Sequence, residues 1–405
     1  MATPALKRLN RDARVLNAFR FTRLRPGLKR FLFHTTMISA TPKIYVAVVG
    51  VGLVGSEFIN QLLSIPSSPF HLVSLTSTTR YIFNHSNPIS SSWKSDLANS
   101  ADRPDLPKLT QQLSALVSPT QKVALIDNTS SEDVAALYPT WLNAGISVIT
   151  PNKKAFSGDI ALYEQIVAAA SKIGGGRFLN EATVGAGLPV IGTLKDLVAT
   201  GDKIVKIEGV FSGTMSYIFN EFSTGKADGP AFSSVVKIAR EKGYTEPHPA
   251  DDLNGFDVAR KLTILSRIIS HAPASSSALP KLQSFASVET TSLIPPELEN
   301  IPTGDEFITR LPEFDAHFAT MRAEASAAGQ VLRFVGGCRR CEWAGQGGAG
   351  EVPDNPPIRD VSWRLGQHHH VPHRALWGTA VDHPRCGAGA AVTAMGVLGD
   401  LLKLT

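Results

Sequence analysis

Three cysteines in 405 residues cannot build a disulfide framework for a chain of this length, which points to a reducing compartment. No stretch reaches the roughly 18 uninterrupted apolar residues that a membrane span requires. Charged residues make up only 19% and hydrophobic ones 43%, which is too apolar for a disordered chain and enough for two domains with ordinary cores. Acid is scarcest at the start: residues 1 to 36 hold nine Lys or Arg against the single acid Asp12. That leader accounts for more than the whole net charge of +5 and leaves the remainder at about −3. The body therefore lacks the basic face that neutralising nucleic-acid phosphates demands.

The basic stretch, residues 1 to 40 with its flank, has two readings. Arg spaced among Leu, Phe and Val fits an amphipathic transit peptide and a mitochondrial address. Met37 just ahead of the first strand fits an over-long gene model and a cytoplasmic protein.

Beyond it, Lys43 to Val49 is a continuous apolar run, the pattern of a parallel strand covered on both faces. Gly50, Gly52 and Gly55 follow in G-V-G-L-V-G, and then Phe58, Ile59, Leu62 and Leu63 at helical spacing. Strand, glycine turn and helix in this order predict a dinucleotide fold. Gly50 allows the tight turn, Gly52 admits a pyrophosphate, Gly55 brings helix and strand together, and the helix N-terminus offers N–H groups to phosphate. The next strand, His71 to Leu75, ends in Thr76-Ser77-Thr78-Thr79-Arg80, without the acid that holds the ribose hydroxyls of NAD. Arg80 either faces a 2′-phosphate or is a solvated loop residue.

The strand Val123 to Ile126 runs into Asp127-Asn128-Thr129-Ser130-Ser131, at the edge where such sheets bind ligands, although one of these residues also suits a helix cap. Ile146 to Ile149 leads to Thr150-Pro151-Asn152-Lys153-Lys154. Lys153 there is either a site residue or part of a solvated turn. Glu181 to Pro189 is glycine-rich and reads as a hinge, or as a set of carbonyls for a hard monovalent cation. A further strand ends at Ser212-Gly213-Thr214, where a helix begins. Gly243 to Lys261 is the densest polar stretch. Asp257 and Lys261 stand four apart on one helical face, as an exposed ion pair or as a lysine able to protonate a carbonyl oxygen.

These residues carry a resemblance. The chain is similar to homoserine dehydrogenases of the short monofunctional type, from Lys43 to Phe334 and again from Gly387 to Leu404. Seven motifs in order carry it: G-V-G-L-V-G (50–55), D-N-T-S-S (127–131), T-P-N-K-K-A-F (150–156), N-E-A-T-V-G-A-G-L-P (180–189), G-V-F-S-G-T-M-S-Y-I-F-N (209–220), G-Y-T-E-P (243–247) and D-D-L-N-G-F-D-V-A-R-K (251–261). The resemblance implies a Rossmann-type doubly wound parallel sheet at 41–188, an α+β catalytic and dimerisation domain at 189–386, and a C-terminal helix at 387–405 returning to the first domain. It implies reduction of L-aspartate 4-semialdehyde to L-homoserine with NADP or NAD, by a homodimer. By motif position Lys261 resembles the proton-transfer lysine, with Asp257 its partner and Lys153 at the junction of cofactor and substrate. Glu246, Asp252, Tyr244 and Thr214 resemble substrate binders. Gly50, Gly52, Leu53, Val54, Gly55, Asn128, Thr129 and Gly387 resemble cofactor binders, as Lys153 also does. Backbone oxygens of Glu181, Val184, Ala186 and Leu188 resemble a sodium site.

The pattern breaks at 338–386, which holds all three cysteines, Trp343, Trp363, Trp377 and five of the eleven histidines. Cys338, Cys341 and the histidines at 368 to 370 suggest zinc, but a second C-x-x-C is missing and the Pro and Gly residues leave no strand to hold ligands. The stretch fits coding sequence read one nucleotide out of frame. Residues 338–343 are encodable as TGT CGA CGT TGC GAA TGG, whose next frame gives Val-Asp-Val-Ala-Asn-Gly. As written, the segment should cost the second sheet its strands, and a cofactor-binding homologue with impaired turnover is then the rival to an active dehydrogenase. A related dehydrogenase acting on another small amino-acid aldehyde is a second rival. Sequencing the transcript across codons 330 to 390 is expected to show compensating offsets; one open frame with no such alternative would sink the frame reading.

Overall fold

The computed structural model describes residues 43–204, 206–270, 281–339, 361–369 and 389–405, and for 338–339 and 361–369 the backbone only. The basic leader, Gly387, Cys341 and His370 lie outside the described residues.

Strand β1 (Lys43–Val49) explains its own apolar run. Ile44, Val46 and Val48 enter the core on one face, and Tyr45, Ala47 and Val49 enter the core on the other, as the two-residue repeat of a strand requires. Around it lie β2 (Phe70–Thr76), β3 (Tyr81–Phe83), β4 (Gln121–Asp127), β5 (Ile146–Ile149) and β6 (Phe178–Leu179), in the order β3-β2-β1-β4-β5-β6. All pairings are parallel except that of β2 with β3. This is the doubly wound arrangement expected, with β2 and β4 each a residue or more longer than their apolar runs alone suggested.

One face is covered by the helix Leu53–Leu63 and by the C-terminal helix Ala390–Leu402, whose Ala394, Val397 and Leu401 join Ile44, Val46 and Phe58 in one cluster. The expected return of the C-terminus is therefore present. Lys122 and Arg177 donate to the terminal carbonyls of Leu404 and Lys403 at 2.5 and 2.8 Å, which satisfies groups a helix end otherwise leaves without partners. The opposite face packs Tyr138, Trp141, Phe156 and Ile166, together with Ile264 and Leu265 from the helix Phe256–Ser270. That last helix thus touches the first sheet while belonging to the second half of the chain.

The second sheet is antiparallel, in the order β7 (Lys206–Gly209), β8 (Gln330–Arg339) and β9 (Val361–His369). Strand β9 corrects the expectation that the anomalous segment holds no strand. Its sequence alternates Val361, Trp363 and Leu365 with Ser362, Arg364 and Gly366 and contains no proline. A ladder needs only backbone N–H and C=O groups in an extended segment, which this one supplies. Leu332 and Phe334 of β8 face the helical core. Gly336 lets the helix Phe256–Ser270 lie close, since a Cβ there would stand 3.0 Å from Val258 Cγ1.

The glycine turn after β1 shows the backbone reasons expected for Gly50 and Gly55. Gly50 has φ +90, and a Cβ on Gly55 would fall 2.1 Å from the Gly50 carbonyl oxygen, whereas one on Gly52 would meet nothing within 4 Å. Gly55→Ala should therefore cost about 1–3 kcal/mol through forced displacement, and Gly52→Ala less than about 1 kcal/mol; denaturant unfolding of the two variants measures the difference.

Candidate active site

The parallel strands end together. Val49 is level with Thr76 and Asp127, Gly50 N–H donates to the Thr76 carbonyl (2.8 Å) and Asn128 N–H to the Val49 carbonyl (2.8 Å). Gly50, Asn128 and the turn after β5 thus share the carboxyl edge of the sheet, where ligands bind in such folds. The helix Leu53–Leu63 starts there with no side-chain cap and no acid in its first turn, so Leu53, Val54 and Gly55 open a helix end suited to phosphate. Beside it, both the nitrogen and the oxygen of the Asn128 amide are buried without a partner among the described residues. A buried amide left unpaired costs free energy, and it offers both a donor and an acceptor to a polar ligand group at this edge. The fit to NAD(P) rests on these two features.

Beneath this edge lies a polar network that sequence reading missed. Asp127 is buried and accepts hydrogen bonds from the Tyr138 hydroxyl, Thr129 N–H (2.7 Å) and Asn152 Nδ2 (3.0 Å). Thr150 Oγ1 donates to the Asp127 carbonyl (2.7 Å), and Asn152 Nδ2 also donates to the Ser131 carbonyl (2.9 Å). Burial raises the Asp127 carboxyl above the usual range, with the Tyr138, Thr129 and Asn152 bonds acting against it. The network fixes Thr129 and the 150–154 turn to the same strand end. Ser131 caps the helix Glu132–Ala136 through Val134 N–H (3.3 Å), the cap expected of one residue in that cluster.

Lys153 leaves this turn and reaches the second half of the chain. Its Nζ lies 3.2 Å from Asp257 Oδ1, and Lys261 Nζ lies 2.5 Å from Asp257 Oδ2. Lys261 also donates to the Phe211 carbonyl (2.7 Å). Its side chain is only 14% exposed, which rules out the plain surface ion pair. Asp257 and Lys261 share one face of Phe256–Ser270, as their spacing predicts. Burial would raise the Asp257 carboxyl, but the two ammonium groups outweigh it and hold it well below the ordinary carboxylate range. Burial lowers the proton affinity of Lys261, as Lys153 does, while Asp257 and Asp252 pull it back up. An ammonium has three donors; two of those of Lys261 are engaged here, and the third is available to an oxygen acceptor.

Next to this triad, Glu246 N–H donates to Asp252 Oδ2 (2.8 Å) and Thr214 Oγ1 to the Tyr244 carbonyl (2.6 Å). Ser212, not Thr214, caps the helix Gly213–Phe222, through Met215 N–H (3.2 Å). The expected binders Thr214, Tyr244, Glu246 and Asp252 therefore come together around the turn before the helix Ala250–Leu253. Arg80 is exposed and its guanidinium donates to the Ser100 carbonyl. Glu181 uses its carboxylate to cap the helix Ile191–Ala199 through Ile191 and Gly192 N–H (2.6 and 2.8 Å), and its N–H donates to buried Asp400 (2.8 Å). No group of three or more metal-ligating side chains exists among the described residues.

Burial pushes the Asp252 carboxyl up to about 6, with the Glu246 and Thr214 bonds opposing it and the Glu246 and Asp257 charges adding to it. An acid whose folded value is raised loses stability as pH climbs from its unfolded value near 4 through 6, and the penalty is complete above 6. Asp252→Asn should therefore raise the melting temperature of the ligand-free protein at pH 7.5 and leave it unchanged at pH 4; equal shifts at both pH values would contradict the assignment.

Comparison with known proteins gives the family. The sequence profile of the homoserine dehydrogenase NAD-binding domain matches residues 50–179, and that of homoserine dehydrogenase matches 189–402, across the anomalous segment. The homoserine dehydrogenase of Schizosaccharomyces pombe is 40% identical over 385 residues, which cover 91% of this chain and 97% of that protein. A crystal structure of a Candida auris protein of unknown function superposes with a TM-score of 0.74 at 38% identity, covering 89% of this chain and 98% of that one. A hyperthermophilic archaeal homoserine dehydrogenase in complex with NADPH shares the fold, with a TM-score of 0.55 at 19% identity over 89% of this chain and 97% of that one. None of these matches supports the rival of a homologue impaired in turnover. The chain belongs to the homoserine dehydrogenase family, NAD(P)-dependent oxidoreductases.

Proposed function

We propose that Lys261 transfers the proton in the interconversion of L-aspartate 4-semialdehyde and L-homoserine, with Asp257 and Lys153 holding it in place. The observation that carries this is the carboxylate of Asp257 lying between Lys153 Nζ and Lys261 Nζ at the sheet edge. A bound NAD(P) supplies or accepts the hydride at the substrate's C4. Lys261, held by Asp257 and the Phe211 carbonyl, donates its remaining proton to the aldehyde oxygen in reduction and must be neutral to accept one in oxidation. Thr214, Tyr244, Glu246 and Asp252 bind the ammonium and carboxylate ends, so that the reacting carbon is fixed and not merely enclosed.

The same proposal assigns the cofactor to Gly50, Gly52, Leu53, Val54, Gly55, Asn128, Thr129, Lys153 and Gly387. The strand end at Thr76 to Arg80 has no acid to repel a 2′-phosphate, which favours use of NADP alongside NAD. A sodium ion would sit on the carbonyls of Glu181, Val184, Ala186 and Leu188. Gly185 and Ala186 are both left-handed (φ +81 and +53), which turns this backbone out of any helix or strand, and carbonyl oxygens suit a hard cation. A homodimer belongs to this reading, since β7 and β9 stand at the two edges of the second sheet among the described residues, and a sheet edge is a template for pairing with another chain.

Lys261→Ala should lower turnover at least about 100-fold, the usual contribution of a positioned acid-base group. Homoserine oxidation should rise with pH as Lys261 loses its proton, at a pH below that of free lysine because burial lowers its affinity. Steady-state rates of wild type and variant from pH 6 to 10.5 test both; a variant keeping more than about a tenth of wild-type turnover removes Lys261 from this role.

A further inference from the structure

Arg267 lies two helical turns beyond Arg260 on the helix that carries Asp257 and Lys261, and it is fully buried. Its guanidinium donates from Nε to the Leu282 carbonyl (3.1 Å), from Nη1 to Phe156 (2.9 Å), and from Nη2 to Gly158 (2.6 Å) and Gln283 (2.7 Å). The Phe156 and Gly158 carbonyls end the very turn that Lys153 begins. Arg260 holds the same turn: its Nη1 donates to Ser157 Oγ (3.2 Å), and Ser157 Oγ donates to the Lys153 carbonyl (2.7 Å). From the sheet side, Asn152 Oδ1 accepts from Lys154 N–H (3.0 Å). Lys153 is thus gripped from both directions.

A buried guanidinium is expensive to desolvate, and an apolar side chain would fill the same space at less cost. Burial lowers the proton affinity of Arg267 to about 10, with Tyr163, Asp159 and Glu164 opposing it. Its position makes sense through what it joins: the catalytic helix, the 153–158 turn and the 282–283 segment. We propose that Arg267, with Arg260, is a positioning residue for the reaction, gripping the 153–158 turn from the catalytic helix and so setting the separation of Lys153 from Asp257 and Lys261. This rests on the reading of Lys261 as the proton-transfer group.

The groups that face Lys261 are Asp257 on its own helix, Lys153 from the turn, Asp252 from the helix Ala250–Leu253 and the Phe211 carbonyl. Loosening the grip withdraws Lys153, a repelling cation, and leaves Asp257 to Lys261 alone. Both changes make Lys261 hold its proton more tightly.

The experiment uses full-length Arg267→Lys and Arg260→Lys, which keep the charge and lose the fork of donors. Arg322→Lys serves as control, because Arg322 is also buried and donates to the carbonyls of Ala227 (3.1 Å) and Pro230 (2.6 Å), away from the site. Lys153→Met reports the effect of removing the cation itself. Arg267→Lys should lower kcat for homoserine oxidation about tenfold, leave both KM values within about threefold, and move the alkaline midpoint up by about half a pH unit or more. Arg322→Lys should lower thermal stability without moving kcat or the midpoint. Should Arg267→Lys fail to fold, the partly exposed Arg260→Lys carries the same expectation at smaller size. Folded arginine variants with the wild-type midpoint, while Lys153→Met shifts it, overturn the positioning role and leave the Lys261 reading intact. If Lys153→Met also leaves the midpoint in place and Lys261→Ala retains turnover, the Lys261 reading fails and this proposal falls with it.

Discussion

One carboxylate set between two ammonium groups organises this protein. Asp257 meets Lys153 from the carboxyl edge of the parallel sheet and Lys261 from its own helix, so a single charge ties the nucleotide-binding half of the chain to the half that carries Lys261. Three charges of alternating sign in a partly dry place are stable only together. Remove Asp257 and two cations face each other; remove either lysine and the balance that sets the other changes.

The fold places that carboxylate by two independent routes. From the sheet side, the buried Asp127 network secures the turn from Thr150 to Lys154 to the end of β4. From the helix side, Gly336 admits the helix Phe256–Ser270 against the second sheet, while Ile264 and Leu265 seat it against the first. The glycine turn uses the same economy of space. Gly55 must lack a Cβ because the Gly50 carbonyl occupies that volume, whereas a Cβ on Gly52 would meet nothing within 4 Å.

Much of this was legible in advance because it is local. Alternating and continuous apolar runs marked β1, β4 and β5, and G-V-G-L-V-G marked the turn. A four-residue interval put Asp257 and Lys261 on one face, and each reading needs only a strand's or helix's own period. The missed residues are those whose meaning depends on distant partners. Tyr138 reads as one aromatic in a short helix, and only the arrival of β4 and β5 makes it a donor to Asp127. Arg267 did carry a signal, a lone arginine among Ile264, Leu265, Ile268 and Ile269, but the carbonyls it binds lie 111 residues before it at Phe156 and 15 residues after it at Leu282. Strand β9 is hidden in sequence because its alternation of Val361, Trp363 and Leu365 is short and ends in Gly366 and two histidines.

The amino-acid order by itself determined the doubly wound sheet, the glycine turn, the shared face of Asp257 and Lys261, and the family, since each is written in neighbouring residues. Tertiary structure alone decided that Lys153 is no solvated loop lysine, that Glu181 spends its carboxylate on a helix end, and that Asp252 titrates near 6. Charge state and hydrogen-bond partner depend on distance and burial, and those are properties of segments brought together in space.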